Sequence, residues 1–150
     1  MIIRQHNGGI AGLIERMRQI GKTQVLIGVP ASEAPREGVT NNATIAASHE
    51  LGAPTRGIPA RPFLIPTIQN NSQKYVELMA QGFRNAMADG TDPDVVYEKI
   101  GLQASSDVKD YIAAGSFAPL KQKTIDRKGS SKPLIDTAEM MNSIGYEVRK

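Results

Sequence analysis

Residues 92–115 read DPDVVYEKIGLQASSDVKDYIAAG, and on this stretch the reading of the fold turns. Asp92 followed by Pro93 is a favourable helix start, because the side chain can accept from a free N–H and proline needs no donor in the first turn. Asp94 suits the positive end of the helix dipole. From there Val96, Ile100, Ala104, Val108 and Tyr111 or Ile112 recur every three to four residues, the spacing of one buried face, and Gly115 offers a left-handed stop. The preceding segment, 67–88, places Tyr75, Met79, Phe83 and Met87 four apart, with Val76 and Ala80 beside them and Gly90 behind. Two long helices joined by the turn DGTD at 89–92 make an αα-hairpin.

Working outward, residues 9–20 carry Ile10, Leu13, Ile14, Met17 and Ile20 among charged neighbours, a short amphipathic helix closed at Gly21. TQVLIGV at 23–29 is rich in β-branched residues and stops at Pro30, the best strand in the chain. Residues 31–42 have the composition of an exposed loop, and a short helix follows over 43–51, capped by Asn42 or Thr44 and ended by Gly52. Between Gly52 and Pro66 the chain reads GAPTRGIPARPFLIP. Four prolines remove donors and favour extended backbone, so a stiff arm is expected there and not a central strand. Residues 117–132 read as a mobile loop. A helical turn is expected over 138–143 and a second strand over 144–149 (IGYEVR), so the chain is one domain over 1–150.

Among the 150 residues, Val, Ile, Leu and Phe number 34 and Ala 16, with no Trp or Cys and seven Phe or Tyr. The core must be aliphatic and thin, and thin cores lean on partners. Without Cys there is no disulfide scaffold, thiolate metal site or Cys nucleophile, which suits a reducing compartment. No apolar run approaches a membrane span, and residues 1–30 lack the order of a signal peptide, so a protein working in or from the cytoplasm is expected. The net charge of +3 is unevenly placed: residues 1–120 are neutral, and the excess falls in 121–150. Its lysines at 121, 123, 128 and 132 sit without the aromatic platforms or recognition helix of a nucleic-acid site.

Motifs for chemistry are sparse. His6 and His49 have no second imidazole at ligand spacing, and His49–Glu50 is followed by Ala53 where a zinc helix would need its second His. NGGIAG at 7–12 follows no strand, and no Gly-x-Ser-x-Gly elbow occurs. Asp89, Asp92 and Asp94 read as helix caps, and the Tyr75–Met87 stripe as core. No catalytic, cofactor-binding or metal-ligating residue is assigned, and an enzyme is not expected.

Two segments carry a resemblance. One is His49-Glu50-Leu51-Gly52 followed by Ile58-Pro59-Ala60-Arg61-Pro62-Phe63-Leu64. The other is Pro119-Leu120-Lys121, Thr124-Ile125, Lys128-Gly129 and Pro133-Leu134-Ile135-Asp136-Thr137, ending in Ser143-Ile144. Together they resemble the pattern of tailed-bacteriophage tail-completion or neck proteins, the virion-morphogenesis components of the head–tail junction. Ala138 stands where that pattern usually has Gly, and Leu51 where it often has an aromatic residue. The resemblance implies an α+β fold, with a small curved antiparallel sheet packed against two long helices and a proline-rich extended arm. It implies a structural virion protein without active site or cofactor, forming a ring (a hexamer first, a dodecamer second) that joins or completes the head–tail junction and lets DNA pass. Its partners would be further copies, adjacent connector and tail-tube proteins and DNA in the lumen, with no membrane or small-molecule substrate. Ile58, Pro59, Arg61, Pro62 and Phe63, with Lys121, Lys123, Lys128 and Lys132, are the expected contact residues. The alternative is a small nucleic-acid-binding module using the basic C-terminal segment.

Overall fold

The computed structural model describes residues 9–30, 41–115, 117, 119, 120, 122, 125, 126, 129 and 139–150. In chain order the elements are α1 (Gly9–Lys22), β1 (Gln24–Gly28), α2 (Asn42–Leu51), a 3-10 turn (Pro54–Arg56), α3 (Leu64–Asn70), α4 (Ser72–Asp89), α5 (Asp94–Ala114), α6 (Glu139–Asn142) and β2 (Gly145–Arg149). The fold is α+β. The two strands pair antiparallel, with Val25 opposite Val148 and Ile27 opposite Tyr146, and both pack against α5.

Helix α5 is the organising element because its apolar residues cover more than one face. Val96, Ile100, Ala104, Val108 and Ile112 are all buried, as their spacing requires, and Tyr97, Gly101 and Ser105 are buried beside them. Two glycines set how closely the neighbours approach. A Cβ on Gly101 would lie 2.2 Å from the ring of Tyr146, and one on Gly82 of α4 would lie 2.6 Å from Val96. The Tyr146 ring of β2 therefore packs directly against the α5 backbone at Gly101, with its hydroxyl donating to Glu98 at 2.7 Å.

The main core gathers at the C-terminal half of α5, where Val108 and Ile112 meet Ala46, Phe63, Met140 and Ile144. At the other end, Tyr97 donates to the carbonyl of Ile20 at 2.5 Å, which fastens the end of α1 to the start of α5. Helices α4 and α5 are clamped by Asp107, which accepts from Lys74 at 2.6 Å, Tyr75 at 2.7 Å and Gln103 at 2.9 Å. Burial alone would raise the Asp107 carboxyl, but the three donors outweigh it and hold it below the ordinary range. The Tyr75 hydroxyl is pushed upward by burial and by the same carboxylate.

Several boundaries differ from the sequence reading. Helix α1 runs past Gly21 to Lys22 and is closed by Thr23, whose hydroxyl donates to the Gln19 carbonyl at 2.9 Å. The cap of α2 is Asn41, which accepts from Thr44 N–H at 2.8 Å. The single helix expected over 67–88 is two, broken at Asn71, and α3 starts three residues early and admits Pro66 in its first turn, where no N–H is required. On α4, Ala86 is buried and Val76 is 59% exposed, so the buried stripe is narrower than the spacing suggests. Within 117–132, Gln122, Ile125 and Asp126 are helical and not loop, with Gly129 N–H donating to Ile125 at 2.8 Å. The loop expected at 31–42 falls outside the described residues up to residue 40. Among those described, no helix is long and apolar enough to cross a membrane.

Candidate interaction surface

The segment 49–65 is held by backbone donors that the prolines and helix ends leave over. Gly52, at φ 76°, turns the chain out of α2, and a Cβ there would lie 2.8 Å from the Ala60 nitrogen, so only glycine fits. Ala53 and Ile58 then exchange a pair of backbone bonds at 2.9 and 3.1 Å around the 3-10 turn. The expected extended arm thus begins as a short closed loop over 53–58, and the chain from 59 to Phe63 belongs to no regular element. Arg61 N–H donates to the His49 carbonyl at 2.7 Å, which lays that chain back along α2.

Helix α3 has no Ser, Thr, Asp or Asn at its start; Phe63 occupies the cap position. Its free N–H groups are satisfied from α2. One oxygen of Glu50 accepts from Phe63 and Leu64 at 2.8 and 2.9 Å, and the other from Ile65 at 2.9 Å. Pro66 has no donor, so a single carboxylate serves every available N–H of that first turn. The pairing of His-Glu-Leu-Gly with Pro-Phe-Leu-Ile-Pro is therefore structural. A distant acid replaces the local cap, a signal readable only as a helix start lacking its own cap after a lone glutamate.

Each expected contact residue has a definite place. Arg61 is 5% exposed, and its guanidinium donates to the Pro119 carbonyl at 3.1 Å, tying the arm to the segment after α5; burial lowers its pKa. Phe63 is 2% exposed and belongs to the core. Both side chains therefore serve the subunit's interior and are not displayed on its surface. Ile58 is half-buried, and Pro59 and Pro62 are exposed. Lys121, Lys123, Lys128 and Lys132 lie outside the described residues.

The larger apolar surface lies elsewhere. Helix α1 buries none of its residues: Ile10 is 79% exposed, Met17 56%, Ile14 45% and Leu13 41%, so the stripe legible in the sequence faces outward. At the other end of α5 is an apolar groove of about 280 Å³ lined by Val29, Ala46, Ala47, Leu51, Phe63 and Ile144, with Leu51 exposed on its rim. Among the described residues no group of three or more His, Asp or Glu is placed to hold a metal ion. The chemistry on display is burial of apolar surface. Comparison with protein-family models, with curated proteins and with solved structures returns no match for this chain.

Proposed function

We propose that this chain is a structural virion protein of a tailed bacteriophage, a subunit of a ring that joins or completes the neck or tail end and lets DNA pass. The observation that carries the reading is the interlocking of the residues behind the resemblance. His49, Glu50 and Gly52 receive 60–65, and Arg61 reaches the Pro119 carbonyl, so residues scattered over seventy positions form one mechanical joint. Such a joint holds an arm in place and needs no reacting group. A thin core and a bare helix stripe are further support, since both favour a subunit that completes its burial against neighbours. Ile58, Pro59 and Pro62 are what the arm offers to a neighbour. The lysines at 121, 123, 128 and 132 would face an acidic partner or the DNA in the lumen.

Negative-stain images of the purified protein test this. Uniform annular particles with a central hole are the expected result. Duplex binding that falls steeply with added salt, without any ring, would overturn the reading in favour of the nucleic-acid-binding module.

A further inference from the structure

Helix α1 meets the rest of the subunit mainly through small and polar side chains. Its half-buried positions are Gly12, Arg16, Gln19 and Ile20, which share one face, while Ile10, Leu13, Ile14 and Met17 lie on a face turned outward. No residue of the helix is buried. Two polar contacts reach other elements. At the last turn the Tyr97 hydroxyl of α5 donates to the Ile20 carbonyl. One turn earlier, a Cβ on Gly90 would lie 3.6 Å from a guanidinium nitrogen of Arg16, so that side chain reaches the C-terminal end of α4, the negative end of its dipole. Among the described residues no further hydrogen bond or ion pair joins α1 to another element. Nor does propensity hold the helix. Helices shorter than about 12–15 residues are marginal in water even when rich in alanine, and α1 has 14 residues, with Gly9, Gly12 and Gly21 among them and no acid in the first turn.

We propose that α1 is a hinged arm, which melts and re-forms about its C-terminal latch while α4, α5 and the sheet stay folded, and which added salt shifts toward the released form. The inference stands apart from the ring and holds whatever the chain assembles with. Segments open locally according to how much apolar contact they would lose, and α5 would expose the fully buried Val108 and Ile112 where α1 exposes nothing new. The direction of the salt effect comes from Arg16, because the attraction between a partly exposed cation and a helix end is screened by ions. The latch itself is neutral and well seated. The Tyr97 ring is buried and packs edge-on to Phe83 with centroids 5.1 Å apart, so the anchor keeps its place when the arm opens.

Hydrogen exchange of the full chain, read by mass spectrometry, tests this with Arg16→Gln and Tyr97→Phe. Amides of residues 12–19 are expected to exchange within roughly tenfold of an unstructured peptide, and those of 100–112 at least roughly a thousandfold more slowly. Raising sodium chloride from about 0.05 M to about 0.5 M should quicken the α1 amides severalfold and leave α5 unchanged. Arg16→Gln should reach the faster rate without added salt and lose the response to it. Tyr97→Phe keeps the ring against Phe83 and removes only the latch, so residues 19–22 should quicken severalfold. Protection of α1 equal to that of α5 would overturn the proposal, as would α1 amides indifferent to salt and to both variants. Limited digestion of the wild type with trypsin gives a reading that no variant enters: cleavage after Arg16 or Arg18 should precede cleavage after Lys99 or Lys109, and the reverse order would overturn the proposal.

Discussion

Glu50 concentrates more of the local structure than any other side chain in the arm, since its two oxygens serve three backbone donors of α3. Removing a helix cap costs about 0.5–2 kcal/mol and losing a charged acceptor about 1.5–3, so Glu50→Ala should lose about 2 kcal/mol in urea unfolding. Glu50→Gln keeps a neutral acceptor and should lose about half of that. An effect below about 0.5 kcal/mol in both variants would show that α3 begins without help. Gly101 makes a different kind of demand. A methyl group there overlaps the Tyr146 ring, and forcing β2 off α5 should cost about 1–3 kcal/mol in Gly101→Ala. Phe63→Ala should cost about 3–5 kcal/mol, the range for a buried aromatic residue. Any loss of assembly by that variant would then come through the fold, which makes Pro59 and Pro62 the better probes of the arm's outer surface.

The α4–α5 hairpin shows which elements could be read from the chain alone. Spacing alone places α5, because a buried face returns at 96, 100, 104, 108 and 112 whatever surrounds it, and Gly90 and Gly115 adopt the left-handed stops expected of them. The early start of α3 was illegible, since it follows from Glu50 reaching across from another helix; at the break, Asn71 leaves helical geometry at φ −102° and ψ 6° with its side chain donating to the Thr67 carbonyl. The outward stripe of α1 was half legible: periodicity shows that a helix has an apolar face, and only tertiary placement shows whether anything covers it. For the hairpin itself, Asp107 predicts a pH dependence. Its carboxyl lies below the ordinary value near 3.9, so the clamp contributes fully above that pH and is lost as pH falls through the folded-state value. Lys74 is 41% exposed, which screens its share. The stability gap between wild type and Asp107→Asn, about 1 kcal/mol at neutral pH, should therefore shrink below about pH 4. A gap that widens on acidification would reverse the sign assigned to this group.

At the scale of the whole molecule, the chain folds around one long helix and finishes with apolar surface at both of its ends. The arm over 53–63 is a fixed part of the subunit, its Arg61 and Phe63 turned inward. Among the described residues, apolar surface left exposed includes the α1 stripe near the start of α5, Leu51 beside α2, and Val76, Leu78 and Leu102 on the α4–α5 hairpin, surface that a subunit of the proposed ring would bury by self-association. Sedimentation velocity of the unmodified protein over a wide concentration range addresses that claim most directly. A monomer giving way to one discrete, closed multiple, with few intermediate sizes, is the predicted outcome. A single monomeric species persisting to millimolar concentration, or a continuous ladder of open aggregates with no preferred size, would contradict it.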